Sequence, residues 1–134
     1  MLRAFLPLAA LALAAGCNRP RFDTPTAAYE SFARAIQKGD YEVAWSALSA
    51  GTQKTLSDRA REISAASGGS VKDDPAALFF AQGARAPLVS EIKLVREEGE
   101  SAVLTVTAAG ATREVRMVKE RGGWRIDSEP ALRH

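Results

Sequence analysis

Residues 88–127 read LVSEIKLVREEGESAVLTVTAAGATREVRMVKERGGWRID, and apolar side chains recur at every second position along much of this stretch. A period of two is typical of β-strands that bury one face. Gly99, Gly110 and Gly122 interrupt the pattern where the chain has to turn. The stretch therefore predicts four antiparallel strands joined in chain order as a meander.

The requirement that one face of the sheet stays apolar predicts how these strands pair. Turns are expected at residues 98–100, at Gly110-Ala111 and at Arg121-Gly122. The predicted cross-strand pairs are Leu94–Leu104 and Val95–Val103, then Leu104–Met117 and Val106–Val115, then Met117–Ile126 and Lys119–Trp124. The inward rows that follow are Leu94–Leu104–Met117–Ile126 and Ile92–Val106–Val115.

Residues 24–84 show helical rather than strand-like spacing of apolar side chains. The expected boundaries are residues favoured as helix caps and stops, and residues 64–74 are expected to form a loop. Thr24 and Pro25 begin the first helix and Gly39 ends it; Asp40 and Gly51 bound the second; Thr52 begins the third; Asp74 and Pro75 begin a fourth over residues 76–82. Helices followed by strands predict an α+β domain, with the helices packed on one face of a curved four-stranded antiparallel meander.

The N-terminal segment has the order of an export signal. Arg3 precedes an apolar run over residues 4–15, which is too short to span a bilayer as a helix. Small residues stand directly before Cys17, and this arrangement resembles a bacterial lipoprotein signal. We expect residues 1–16 to be removed, Cys17 to carry the lipid, residues 17–23 to form a tether and residues 24–130 to form one domain. The alternatives are an ordinary secretory signal and an uncleaved anchor.

The residue after Cys17 is Asn18 rather than Asp, which in enteric-type bacteria favours sorting to the outer membrane, so we expect the domain to face the periplasm. The chain has 134 residues, of which 18 are Lys or Arg and 16 are Asp or Glu. No basic cluster stands out, so nucleic acid is not an expected partner.

The chain offers few groups for catalysis. The one cysteine and the one histidine, His134, leave no triad, no multi-cysteine metal site and no disulfide framework. The predicted inward rows hold no paired carboxylates for acid–base work. No nucleotide-binding glycine motif is present either. We therefore expect no catalytic residue, no metal and no cofactor, and a protein that is not an enzyme.

Two segments resemble the nuclear transport factor 2-like superfamily, in its small bacterial lipoprotein branch. They are TPTAAYESFARAIQKGDYEVAWSAL at residues 24–48, with Gly-Asp after the first helix, and GGWRID at residues 122–127. The resemblance implies a cone-shaped, cystatin-like fold in which a curved sheet wraps around the helices and leaves a pocket. That fold carries enzymes, binding modules and adaptors alike, so it does not by itself give a function.

Two groups of residues are candidates for lining such a pocket. One is the predicted row Arg96–Ala102–Lys119–Trp124, where two cations beside an indole suit an anionic or amphipathic ligand. Alternatively, this row extends beyond the helices, and the Arg96 and Lys119 side chains simply point into water. The other group is aromatic and could equally form the core; its members are Tyr29, Phe32, Trp45, Phe79 and Phe80.

The opposite face of the predicted sheet carries the row Val95–Val103–Val118–Arg125. Three valines in line on a polar face suit an interface with an envelope protein or with a second copy, and scattered surface valines are the alternative. We accordingly expect a lipid-anchored interaction or accessory module. A carrier of a small amphipathic or anionic ligand is the alternative, and an enzyme is the weaker one.

Overall fold

A computed structural model describes residues 19–81 and 87–128 of the chain. In these parts the chain forms helices first and then a four-stranded antiparallel sheet in the order β1-β2-β3-β4. The elements are α1 (Pro25–Lys38), α2 (Tyr41–Ser46), α3 (Ala50–Ala66), α4 (Pro75–Phe80), β1 (Val89–Glu98), β2 (Ser101–Ala108), β3 (Ala111–Glu120) and β4 (Gly123–Ile126). The predicted α+β class and the meander are confirmed.

The helix starts follow from local capping chemistry. Side-chain oxygens of Thr24, Asp40 and Asp74 each accept a hydrogen bond from the backbone N–H three residues later, at 3.1 to 3.3 Å. Such bonds satisfy backbone donors that have no partner within the helix. Gly39 ends α1 in the left-handed region, with φ of 71°, where glycine carries no steric penalty. These predicted boundaries are confirmed.

The boundary between the second and third helices differs from the prediction. Gly51 lies inside α3 and does not end α2, which stops at Ser46. The third helix begins at Ala50 and not at Thr52 as predicted, and Ser49 caps it, because the Ser49 Oγ accepts from the Thr52 N–H at 3.1 Å. The helix continues to Ala66, so the predicted loop over residues 64–74 begins later than expected.

The first hairpin combines a shorter loop with an extra residue in β1. Leu94 lies opposite Leu104 as predicted, but Val103 lies opposite Arg96 and not Val95. The ladder shifts between Leu94 and Arg96, as a β-bulge does when two residues oppose one. The loop contains two residues, because Glu98 pairs directly with Ser101. The two differences cancel at Leu94, which explains why that pair was predicted correctly.

The second hairpin is shifted by two residues from the prediction. Its turn lies at Ala109-Gly110, where both residues have positive φ, at 51° and 77°. Leu104 consequently lies opposite Val115, and Val106 lies opposite Arg113. The predicted pairs Leu104–Met117 and Val106–Val115 are therefore wrong, although every side chain keeps its predicted face. A two-residue turn with positive φ at both positions matches the twist of the flanking strands, and this match favours the observed register over the predicted one.

The third hairpin has the predicted register, with Met117 opposite Ile126 and Lys119 opposite Trp124. The core lies between the helices and the inner face of the sheet. Its most completely buried large side chains are Leu104, Met117, Val106 and Thr52.

The two edges of the sheet differ. The outer edge of β4 is covered: Ile126 donates to the Ala47 carbonyl and accepts from the Ser49 N–H, both at 2.8 Å. Further along, the Trp124 N–H donates to the Phe22 carbonyl at 2.8 Å. Phe22, in the expected tether, thus packs on the domain. At the other edge, β1 pairs with β2 alone within the described residues.

Candidate functional site

The predicted pocket aromatics pack on one another. Phe80 is 7% exposed and lies at the centre of the cluster. Its ring centroid is 5.9 Å from that of Phe32 and 6.4 Å from that of Trp45, and both contacts are edge-to-face. Phe79 is partly buried against the same core. Edge-to-face contacts at these distances stabilise a packed cluster, so Trp45, Phe79 and Phe80 belong to the core, while Phe32 packs on Phe80 with one side and lines a cavity with another.

The predicted row Arg96–Ala102–Lys119–Trp124 is not formed. Trp124 is 3% exposed, so its indole belongs to the core and offers no open stacking surface. Lys119 lies opposite Trp124 but is exposed to solvent. Arg96 lies opposite Val103, because the bulge in β1 transfers it to the face away from the helices. The two cations are therefore on different faces of the sheet.

The predicted valine row is also interrupted. Val118 lies opposite Arg125 as expected, but its neighbour in β2 is Ser101 rather than Val103. Val95 is 51% exposed on the β1 bulge, whereas Val103 is 7% exposed. The bulge displaces Val95, and the two-residue shift makes Val103 and Val118 diagonal rather than direct neighbours, so the predicted straight row of valines is not formed.

The shift of the second hairpin instead brings Arg113 to the inner face of the sheet, in the row Ile92–Val106–Arg113. Its Nη2 donates a hydrogen bond to the Tyr29 hydroxyl at 2.7 Å. Sequence reasoning missed this residue. The apolar-face requirement placed Val115 in the row, and a slip of two residues leaves that requirement satisfied. A turn placed at Ala109-Gly110 instead of Gly110-Ala111 would have put Arg113 opposite Val106 in the prediction.

A cavity of about 290 Å³ adjoins this hydrogen bond, between α1 and the adjacent ends of β1 and β2. Its walls are mostly apolar. The lining residues are Tyr29, Phe32, Ala33, Ile36, Gln37, Pro87, Val89, Ala108 and Arg113.

A different cation serves the fold. Arg125 donates from Nη1 to the Ser46 carbonyl at 2.7 Å, and its guanidinium lies 4.3 Å from the centroid of the Phe22 ring. Burial lowers the pKa of the Arg125 guanidinium, and the nearby charge of Arg121 lowers it further. Arg121 donates to the Leu48 carbonyl at 2.6 Å. Both arginines thus satisfy carbonyls at and just beyond the end of α2, where a positive charge is favourable.

Within residues 19–81 and 87–128, no group of three or more His, Cys, Asp or Glu side chains is arranged to hold a metal ion. The same residues include no helix that is long and apolar enough to cross a membrane. The expected signal segment, Cys17 and His134 lie outside the described residues.

Comparison of the chain with protein-family models, with curated proteins and with solved structures finds no match. The class of the protein is therefore the one that its own architecture defines: an α+β domain with helices followed by an open four-stranded antiparallel sheet. Its kinship with the nuclear transport factor 2-like superfamily, including the cone shape, stays a prediction from the sequence.

Proposed function

We propose that the chain is a lipid-anchored, non-enzymatic module of the bacterial cell envelope that binds an extended segment of a protein partner along β1. The observation that carries the proposal is the position of the exposed apolar residues. In the described parts of the chain, the exposed large hydrophobic side chains are Leu88, Leu94 and Val95. All three lie in β1 or directly before it.

The edge of β1 suits strand addition. The strand has ten residues, and its side away from β2 pairs with no other described strand. Backbone groups on an open edge provide hydrogen bonds for an added strand, and alternate side chains provide specificity. Because the β4 edge is covered by Phe22 and residues 47–49, β1 is the edge that residues 19–81 and 87–128 leave open for a partner.

The charges on β1 indicate the chemistry of this partner. Leu94 and Val95 provide an apolar centre, Arg96 follows it directly, and Glu97 and Glu98 end the strand. Lys93, on the other side of the centre, is paired with Glu91 at 3.0 Å. A complementary segment has apolar residues opposite the centre and a basic residue opposite the end of the strand, where the two carboxylates outnumber Arg96. We therefore propose as the occupant an apolar segment of an envelope protein, with Lys or Arg at the end that meets Glu97 and Glu98.

Photocrosslinking in the cells that make the protein tests this proposal. A photoreactive residue at Val95 should give one discrete adduct with a partner protein, whereas the same residue at exposed Ala65 on α3 should not. Leu94→Lys should abolish the Val95 adduct, because a charge at the apolar centre opposes docking. Ala65→Lys, with the same added charge, should leave it intact. An adduct of twice the chain's own mass would identify a second copy instead, and the absence of any Val95-specific adduct would contradict the proposal.

The lipid anchor has a separate test. Mass spectrometry of the unsubstituted protein should show that residues 1–16 are removed and that Cys17 carries acyl groups. Cys17→Ser should take the protein out of the outer-membrane fraction and leave residues 1–16 attached, because the cleavage that follows acylation needs the cysteine. An unsubstituted protein that keeps residues 1–16 would instead indicate an uncleaved anchor, and a cleaved protein without acyl groups would indicate an ordinary secretory signal.

A further inference from the structure

Arg113 holds a positive charge at one end of an apolar cavity. It lies opposite Val106 on the sheet face that is directed towards α1. Glu114, its neighbour in sequence, pairs with Thr105 on the opposite face. The ion pairs formed among the described residues involve other cations, and none includes Arg113. Arg113 is exposed to solvent, so its charge can be held there without a carboxylate partner.

Tyr29 orients this guanidinium. The phenol is 3% exposed and is fixed by α1, and its oxygen accepts from Arg113 Nη2 at 2.7 Å. A phenol that accepts a hydrogen bond can still donate its own proton, and a guanidinium has further N–H donors. The pair can therefore direct donors from both side chains towards one anionic group. Planar carboxylates match the fork of an arginine particularly well.

The cavity beside the pair has apolar walls. Phe32 and Ile36 contribute from α1, and Val89 and Ala108 contribute from the sheet. Its volume, about 290 Å³, lies at the small end of ligand pockets, which begin near 300 Å³. Gln37 supplies one further polar group in the lining.

The cavity continues into a neighbouring groove between α1 and β1. The groove measures about 360 Å³ and shares Ala33, Gln37 and Val89 with the cavity. Leu88 and Ile92 add apolar surface to it, and its rim carries Glu30 and Arg34. A chain longer than the cavity can therefore extend along α1 towards solvent.

We propose that this cavity binds a medium-chain carboxylate amphiphile, with its carboxylate on Arg113 and Tyr29 and its acyl chain against Phe32, Ile36 and Val89. A sugar or a nucleotide would leave many polar groups facing apolar walls, which is costly. A neutral hydrocarbon would leave the guanidinium without a counter-charge. The acyl-chain end of this site shares Val89 with β1 and the groove beyond it includes Leu88, but the anion-binding pair lies on α1 and β3, so variants of Arg113 and Tyr29 test the cavity without altering β1.

Isothermal titration calorimetry with octanoate tests the site. The protein used begins at residue 17, where the expected processing ends, and carries Cys17→Ser, which removes the expected acylation position and leaves every described residue unchanged. Octanol has the same chain without the charge, and acetate has the charge without the chain. Octanoate should bind saturably with 1:1 stoichiometry and at least about tenfold more tightly than octanol or acetate, since hydrogen bonds to charged groups contribute on that scale. Octanol binding equally well, or no saturable octanoate binding, would overturn the proposal.

Variants then assign the binding to the pair. Arg113→Gln should weaken octanoate by about tenfold or more, Arg113→Lys should recover part of the loss, and Tyr29→Phe should weaken binding while the ring stays packed. The matched control is Arg116→Gln, an exposed arginine of the same strand on the opposite face, which should bind octanoate as before. Equal affinity in Arg113→Gln and Arg116→Gln would overturn the assignment. If Arg113→Gln does not fold, the comparison of octanoate with octanol and the Tyr29→Phe variant still decides whether this pair binds the carboxylate.

Discussion

Leu94 and Leu104 lie directly opposite each other in the β1–β2 ladder, yet Leu104 is completely buried and Leu94 is 47% exposed. Both have the parity of the inner face. The difference arises because α1 packs against the first half of β1, at Val89 and Ile92, and the second half extends beyond it. Leu94 was predicted to belong to the inner core, and its exposure is a correction that the helix layer imposes.

This asymmetry predicts different costs for the same truncation. Leu104→Ala should lower the free energy of unfolding by about 2–5 kcal/mol, because it removes buried methylenes and leaves a cavity. Leu94→Ala should cost no more than about 0.5 kcal/mol, since much of that side chain already contacts water. Urea unfolding followed by circular dichroism measures both. Equal losses would show that a further surface covers Leu94 in solution.

Trp124 is 3% exposed between β4 and the helices. We expect Trp124→Ala to lower the free energy of unfolding by about 3–5 kcal/mol, as large aromatic deletions in cores do. Chemical denaturation of the two proteins gives the difference. A loss below about 1 kcal/mol would mean that the indole is at the surface, which is incompatible with the β3–β4 register described above.

Gly123 has no room for a side chain. A Cβ at this position would lie 2.8 Å from the Phe22 Cβ and 3.0 Å from the Phe22 carbonyl oxygen. Because the oxygen belongs to the backbone, it cannot rotate away, and the clash also strains the hydrogen bond from the Trp124 N–H. Gly123→Ala should therefore cost about 1–3 kcal/mol, the usual range for overpacking.

A double-mutant cycle separates the two contacts at Gly123. Adding Phe22→Gly removes the Phe22 Cβ but leaves its carbonyl oxygen. The effects of the two substitutions on the free energy of unfolding should therefore not be additive, and the double mutant should recover only part of the stability that Gly123→Ala loses. Strictly additive losses, measured by thermal unfolding, would show that the segment before α1 does not pack on β4 in solution.

Asp58 forms an ion-pair cluster on α3. Its carboxylate accepts from Lys54 Nζ at 2.7 Å and from Arg61 Nη1 at 3.3 Å. The Lys54 hydrogen bond is the main cause that holds the pKa of Asp58 below its ordinary value of 3.8. A lowered folded-state pKa stabilises the fold at pH above the unfolded value, and this contribution disappears as the pH falls through the folded-state pKa.

Removal of the lysine should reverse the shift. In Lys54→Gln, carboxyl NMR titration should give a higher pKa for Asp58 than in the unsubstituted chain, and high salt should narrow the difference because the pair is exposed. The matched control is Lys72→Gln, which removes a lysine from the segment between α3 and α4 and should leave the pKa of Asp58 unchanged. An unchanged titration in Lys54→Gln would contradict the i,i+4 pair.

Local chemistry made much of the fold predictable. Thr24, Asp40 and Asp74 cap their helices through side-chain oxygens close in sequence, so no distant contact is needed to recognise them. Strand parity was equally accessible, because alternation is a property of the strand itself. The start of α3 at Ala50 was missed because Gly51 has the local preferences of a stop, whereas Ser49 is held by Thr52 and by the distant Asp127.

The candidate site depended on information that alternation does not contain. A shift of two residues in the register leaves each side chain on its face but changes its cross-strand neighbours. Periodicity therefore cannot decide whether Val115 or Arg113 lies opposite Val106. The turn geometry at Ala109-Gly110 settles that choice. The bulge at Val95 similarly moves Arg96 to the other face without a change in composition.

The sequence by itself determined the order of helices and strands, three of the helix starts and the two faces of β2, β3 and β4, because these follow from interactions between residues close along the chain. The tertiary structure alone decided that Arg113 meets Tyr29, that Leu94 is exposed and that Phe22 covers the β4 edge. Each of these outcomes depends on how far one element extends over another. That distance is set by packing between residues far apart in sequence, and no local pattern records it.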